Sequence, residues 1–460
     1  MKNFDSKIFV PAFDNTVDPF IPEIWATESL MVLYKNVLAV NLVHRDFENE
    51  VAQFGDTVNT RRPAKFVAKK KIDSDNVTNQ NADSTNVAVL LNQHLHVSFT
   101  IKDGEESKGM KSLVSVYLEP ALEAIAQGLE EVVLGERYNF LDTTRGQLDA
   151  APTIDIVNDL YADMTDNLAP LSGRRVITSS TTKAQLSSIS TFHEADKVGD
   201  DGTALREGSI GRKLGFDWYM SQNSPKIAAT DTTVGALDLA GTAGDIEINV
   251  DGLSAAIVNG SWLTVAGDMT PQLVTGSTGG ATPSAINISP GLANDVVDNA
   301  VVTIYDPVLV NNGAGYASGW VKEFAIDSAT IAPKAGQLAS VGAASVTAAV
   351  KYGIMTDTST TSLLLNRGLE AAVADNATIG LGPAGSYNWA FHRNAVALVT
   401  RPLAIPMEGV GARGFVQDLD GLSVRVVISY DSIAQGHRVT VDVLAGVKTL
   451  DVNLGAVLLG

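Results

Sequence analysis

Between Ala228 and Val321 the chain has no Lys, Arg or His, while nine acids fall in the same stretch. Gly, Thr, Ser, Ala and Val make up most of it. The runs DIEINVDG, SWLTVAGD, SAINISPG and AVVTIYDP are each closed by turn residues. Short β-branched runs between Gly- and Asp-rich breaks read as short strands joined by tight turns, not as helices. A β-rich stretch of similar character continues to about Gly385. The segment 228–385 is therefore expected to be an all-β inserted domain. Its composition gives short strands rather than a large core, so it is expected to fold semi-independently.

The remainder must supply the helices and the main core. With 460 residues, 45% hydrophobic and 18% charged, the chain has ample material for a folded globular protein. No run of 18 apolar residues occurs, and the first thirty residues lack the apolar core of a secretory signal. There is no cysteine, which excludes disulfides, thiolate nucleophiles and Cys-based metal centres. A net charge of −19 opposes broad non-specific DNA binding, which depends on phosphate neutralisation.

Region 1–50 reads as an irregular arm, broken by Pro11, Pro19 and Pro22, then a helix over Glu23–Val40. Region 51–103 reads as an extended loop. Two long strands, DTVNTRRPAKFVAKKKI and NVAVLLNQHLHVSFTIKD, flank a polar tip and make a protruding hairpin. Region 104–152 holds the strongest helix, Glu106–Glu136, with Leu122, Ile125, Leu129, Val132 and Val133 on its apolar face. Pro120 is expected to bend or break it. In 153–227, a helix over Thr153–Leu168 precedes the strand RRVITS and a helix over Thr181–Ser190 capped by Ser180. In 386–460, YNWAFHRNAVALVTRPLAIP is strand-like and GLSVRVVISYDSIAQGHRVTVDVLAGVKTLD forms a hairpin.

No catalytic constellation emerges. Two G-x-G-x-x-G matches, Gly380/Gly382/Gly385 and Gly409/Gly411/Gly414, precede strands instead of opening a helix, as a dinucleotide site requires. His94 and His96 share a strand face but lack a third ligand cluster nearby. Glu130 and Glu131 point to different faces of their helix and read as a solvated or interface face. No catalytic, metal or cofactor-binding residue is assigned. The one strongly charged run is RRPAKFVAKKK, with six basic residues in eleven positions from Arg61 to Lys71. Asp103–Glu136 carries eight acids against Lys108 and Lys111.

With the elements placed, the chain resembles the major capsid (coat) proteins of tailed double-stranded DNA bacteriophages. The likeness is to the Hong Kong 97-type fold, and within it to the short-tailed-phage coat-protein group that carries an inserted domain. The resemblance rests on GSIGRKLGFDWYMSQNSP (Gly208–Pro225), SYNWAFHRNAVALVTRPLAIP (Ser386–Pro406) and the hairpin run Gly421–Asp451. It implies an α+β fold with an N-terminal arm, extended β-hairpin loop, long spine helix, peripheral and axial domains and an inserted all-β domain.

The implied function is assembly, without enzymatic activity or cofactor. Copies would form hexamers and pentamers of an icosahedral shell in the virion, assembled in the host cytoplasm. A scaffolding protein would guide assembly and a portal would occupy one vertex. The shell would enclose double-stranded DNA without sequence-specific binding and without a membrane. Some members of the wider fold cross-link subunits through a loop lysine. Lys69 to Lys71 lie in that region, but no matching Asn or Glu is found, so no cross-link is expected.

Opposite signs motivate an intersubunit contact. Arg61, Arg62, Lys65, Lys69, Lys70 and Lys71 would face acids of a neighbour's spine-helix region, including Glu105, Glu106, Glu119 and Glu123. A solvated charge run is the plainer alternative. Two other functions stay open: a tail or spike component of a virion, and a nucleic-acid-binding protein using Arg61–Lys71. The spine helix and lack of repeats weigh against the first. The single aromatic Phe66 is thin support for the second. The insert would serve as an outward decoration or an intersubunit brace.

Overall fold

The computed structural model describes residues 38–45, 57–62, 66–71, 73, 77, 79–81, 85–102, 110–193, 210–224, 226–227, 232–253, 255–305, 308–310, 315–320, 323–327, 332–342, 350–355, 360–401, 403–407, 412–419 and 422–460. The fold is mixed α+β and mostly sheet. The helix expected over Glu23–Val40 lies almost wholly outside the described residues. Within them, a single helical turn spans Ala39–Leu42.

The extended loop is rooted by strands β1 (Thr57–Arg62) and β2 (Thr85–Leu90), paired antiparallel from Thr57↔Leu90 to Arg62↔Thr85. The second expected strand is in fact two. After Leu91 and Asn92 the chain resumes as β3 (Gln93–Lys102), which joins a different sheet. The reason is packing: Leu91, Asn92 and Gln93 are all buried, so the chain is pinned there. Beyond the pin, β3 alternates half-buried Leu95, Val97 and Phe99 with exposed His94, His96, Ser98 and Thr100.

The spine helix runs Met110–Leu134 and continues as a 3-10 turn over Gly135–Phe140. Pro120 lies inside it, so the chain does not break there. Ala121, Leu122, Ile125 and Ala126 are buried directly after the proline. Such burial can offset the hydrogen bond that Pro removes. Glu130 departs from its sequence reading. It is 2% exposed, inside the core, and not on a solvated face.

One sheet gathers β4 (Thr144–Arg145), β5 (Arg174–Thr178), β6 (Arg212–Lys213), β7 (Phe216–Met220), β20 (Tyr387–His392) and β25 (Gly455–Leu459), in the order β4-β25-β20-β5-β7-β6. The helix Ile154–Asp166 packs Val157, Leu160 and Met164 onto it, and Thr153 Oγ1 accepts from the Ile156 amide as its cap. The next helix spans Ser180–Ser187, and its cap is Ser179, one residue earlier than expected: Ser179 Oγ accepts from Thr182 N. A second sheet is built on β24 (Gly436–Thr449), which pairs with β3, with β21 (Val396–Arg401) and with β23 (Leu422–Asp431). The strand β22 (Ala412–Leu419) adds to β23. The run YNWAFHRNAVALVTR thus crosses from one sheet to the other at the turn Arg393–Ala395.

The base-free stretch forms a closed barrel of six strands: β8 (Thr232–Leu237), β9 (Glu247–Asp251), β10 (Trp262–Val265), β11 (Gln272–Thr278), β12 (Ala285–Ser289) and β13 (Val301–Tyr305). Closure removes free edges. The barrel has a core of its own, including Leu263, Val265, Val274, Ile286, Val302 and Ile304. A second β unit follows. Its four-stranded sheet contains β14 (Val308–Leu309), β16 (Leu338–Val341), β17 (Val350–Gly353) and β19 (Thr378–Leu381); β15 (Glu323–Ala325) pairs with β18 (Ser362–Leu364) beside it. This unit also has a separate core, around Phe324, Tyr352, Leu363 and Leu365.

Candidate functional site

Three places concentrate charge. The first is the extended loop. Arg61 and Arg62 lie on β1, opposite Asn86 and Thr85. Lys65 is outside the described residues. Beyond the ladder, Val67 N donates to Gln80 Oε1 at 3.0 Å, and Gln80 Nε2 donates back to Val67 O at 2.5 Å, bracing the two arms of the loop. Lys69, Lys70 and Lys71 are exposed, as are Phe66 (63%), Val67 (68%) and Val77 (78%). These exposed apolar and basic side chains are available to another molecule.

Of the acids named as its counterpart, Glu105 and Glu106 lie outside the described residues. Glu119 is on the spine helix, and Glu123 is on the same helix and exposed. Glu130 and Glu136 from the same segment are buried and engaged within the chain. The spine helix therefore offers fewer surface carboxylates than its sequence suggests.

The second place is a buried polar hub where the end of the spine helix, the second β unit and β24 meet. Sequence reasoning missed it. Glu136 is fully buried. Its carboxylate accepts from Arg367 Nη1 at 2.6 Å, Asn139 Nδ2 at 2.9 Å and Thr449 Oγ1 at 2.7 Å. Arg367, 5% exposed, also donates to Lys351 O at 3.1 Å and stacks over Tyr352 at 4.7 Å. Glu370 bridges Arg367 at 3.4 Å and Lys448 at 2.6 Å. Burial pulls the Arg367 pKa down, but Glu136 and Glu370 outweigh it and hold the pKa above its ordinary value. Burial likewise opposes ionised Glu370, and Lys448 and Arg367 overcome it, so its pKa is lowered. Nearby, Glu130 accepts from Ser221 Oγ, and Arg137 Nη1 donates to Ser224 Oγ at 2.9 Å. Gly135 allows the close approach: a Cβ there would collide with Asn366. The only sequence trace of the hub was an acid-rich helix followed, some 230 positions later, by an Arg in a base-poor region.

The third place is a groove of about 510 Å³ between the β4 edge of the first sheet and the barrel. Asp142, Asp163 and Asp166 line one side, and Thr270, Pro290 and Ala293 the other. Arg145 is the only basic lining residue, and its guanidinium holds Asp163 bidentately at 2.5 and 2.8 Å.

Gly380 lies on β19, and Gly382 and Gly385 lead into β20; Gly414 lies on β22. The first motif meets no helix N-terminus, where a pyrophosphate would bind, and Gly409 and Gly411 of the second lie outside the described residues. His94 Nε2 lies 3.4 Å from Asp442 Oδ2, a carboxylate already held by Arg425 at 2.5 and 3.0 Å. Among the described residues no group of three or more His, Cys, Asp or Glu is placed to hold a metal, and no helix is long and apolar enough to cross a membrane.

No family model and no curated protein matches the chain. Solved structures do. A chain titled Mycobacterium phage Che8 is 14% identical with a TM-score of 0.42, covering 92% of this chain and 90% of its own. The capsid structure of the cyanophage P-SCSP1u gives 10% identity and a TM-score of 0.43, covering 92% and 88%. The capsid of the Myoviridae phage XM1 gives 10% and 0.33, covering 93% and 90%. Chains from solved phage capsids are thus what this chain is similar to over nearly its whole length.

Proposed function

We propose that this chain is the major capsid protein of a tailed double-stranded DNA bacteriophage, built to assemble with copies of itself. The observation that carries this reading is the extended loop. Its β1–β2 root is anchored by buried Val58, Val89 and Leu91 against Ala397 and Val399, while its tip exposes Phe66, Val67 and three lysines. Such a tip gains little within its own chain. It becomes favourable on a neighbour, where many weak charged contacts act together and remain correctable during growth. The stretches that carry the sequence resemblance supply β6, β7, β20, β21, β23 and β24.

On this reading the arm and its helix are 1–50, the extended loop 51–103, the spine helix and peripheral domain 104–152 and the first part of the axial domain 153–227, with 386–460 returning to the axial and peripheral domains. The insert is 228–385 and the return strands 386–460. Copies form hexamers and pentamers, a scaffolding protein guides them, a portal fills one vertex, and the shell encloses DNA in the virion. The role is structural, with no catalytic step. Electron microscopy of the purified chain tests it. Closed shells or capsomers are expected; a persistent monomer would overturn the reading. Reversing Lys69, Lys70 and Lys71 to Glu should reduce shell yield at least several-fold, and normal yield would remove the loop from the assembly contact.

A further inference from the structure

The two sheets are joined where two chain crossings lie side by side. From the first sheet, β20 passes into β21 of the second through the 3-10 turn Arg393–Ala395. In the other direction, β24 of the second sheet passes into β25 of the first through the turn Val452–Leu454. Hydrogen bonds tie the crossings together: Leu450 N and Asp451 N both donate to Ala395 O, at 2.8 and 3.4 Å. The first turn opens on His392, the last residue of β20. His392 Nδ1 accepts from Asn394 N at 3.3 Å and so caps the turn. A backbone N–H only donates, so Nδ1 is the bare nitrogen and the imidazole that makes this cap is neutral.

The surroundings of His392 are cationic. It pairs in register with Arg174 of β5, and Arg175 follows on the same strand. Arg174 is 1% exposed, and its guanidinium is spent on neutral oxygens: Pro170 O at 2.9 Å, Tyr161 O at 3.1 Å, Thr165 Oγ1 at 3.0 Å and Ala169 O at 2.8 Å. Arg175 Nη1 donates to Leu42 O. Among the described residues neither guanidinium is bonded to a carboxylate. The turn itself adds Arg393. A Cβ added to Gly173 would stand 3.6 Å from His392 Nε2, so the backbone ahead of β5 closes over the ring. The acids on the surrounding elements are placed elsewhere. Asp451 Oδ1 accepts from Asn453 N at 3.1 Å, and Asp217 of β7 lies 3.7 Å from Arg212. On the helix before β5, Asp163 is held by Arg145, and Asp166 is exposed at the helix end. Burial, then Arg175, then Arg174 hold the His392 pKa below its ordinary value.

A proton on Nδ1 has two effects. It turns the acceptor that caps the turn into a donor facing another donor, so the bond to Asn394 N is lost. It also sets a further positive charge beside two that have no bonded counter-ion. Both effects fall where the sheets are joined.

We propose that His392 is an acid-released latch: neutral, it caps the crossing between the two sheets, and protonated, it lets that crossing open. The latch belongs to the single chain and works whether or not copies assemble. Its direction follows from linkage. With the folded pKa lowered, the unfolded chain takes up the proton first as pH falls through about 6.5, and stability drops from there toward the folded value.

Hydrogen exchange of the full chain, read by mass spectrometry at about pH 7.5 and about pH 5.5 and corrected for the intrinsic rate, tests the latch. In the unaltered chain, the peptide spanning Arg393–Val396 should lose protection by about threefold or more at the lower pH, while barrel strand β10 keeps its own. His392→Asn supplies an oxygen that accepts the same N–H at either pH, so its turn should stay protected. His392→Ala offers no acceptor and should be unprotected at both. Equal protection at the two pH values in the unaltered chain would overturn the latch. So would an equal loss in His392→Asn, or a loss in the unaltered chain that β10 shares. Should His392→Asn fail to fold, His392→Gln takes its place, and the unaltered chain's exchange at the turn against β10 decides by itself.

Discussion

Removing Arg367 from the hub should loosen the second β unit from the spine helix. The pair it forms with Glu136 is 5% and 0% exposed, so truncating one partner strands a carboxylate with neutral donors only. Loss of one partner of a buried pair costs about 3–5 kcal/mol. With a urea slope of about 2 kcal/mol per molar, the midpoint should fall by roughly 1.5–2.5 M. Trp262 is a suitable probe: it is fully buried, and its Nε1 donates to Ser340 Oγ of the second unit at 3.2 Å. Urea titrations of Arg367→Met, Glu136→Gln and the double variant, followed by tryptophan emission, form a complete cycle. The double variant should lose less than the two singles together, by about 1.5–3 kcal/mol. Additive losses, or single losses below about 1 kcal/mol, would refute the claim that this pair joins the units.

Further outcomes follow from other contacts. Trp262→Ala should cost about 3–5 kcal/mol, because Trp262 belongs to the main core and not to the barrel's own; unchanged thermal stability would show that the barrel is not braced there. Gly135→Ala should destabilise the subunit by about 1–3 kcal/mol through collision with Asn366, and an unshifted melting curve would contradict that close approach. For Glu370 the folded pKa lies below the unfolded one, so its contribution is present above the ordinary glutamate value of about 4.3 and lost as pH falls through the folded value. Glu370→Gln should flatten the acid limb of the stability profile in that window; an identical limb would count against the Lys448 and Arg367 contacts.

The sequence made some elements legible because they depend on local pattern. The alternation around His94–Ile101 marked β3, and the buried face of Leu122, Ile125, Leu129 and Val132 marked the spine helix. The pattern placed a helix from Thr153, the residue that caps it in the structure. What local pattern cannot carry is long-range pairing. The split of the loop strand at Leu91–Asn92 follows from burial against a sheet formed more than 300 residues later. Glu130 read as part of a solvated or interface face, and Glu136 as one more acid of the helix, because their partners, Ser221 and Arg367, are distant in the chain. Composition spoke for the barrel's strands but could not show that six of them close and enclose a core. The basic half of the candidate contact was plain in RRPAKFVAKKK.

The long strand β24 has a mechanical consequence. Ten consecutive residues, Gly436–Ala445, lie antiparallel to all of β3, the strand through which the extended loop enters the body. Tension on the loop tip along its axis would load this ladder in shear, so its bonds would resist together instead of opening one after another. Farther along, β24 hands the same load to β21 through six register pairs, Leu444–Thr449. A pull applied at one tip of the loop is thus shared among the strands of the second sheet before any single bond bears it alone.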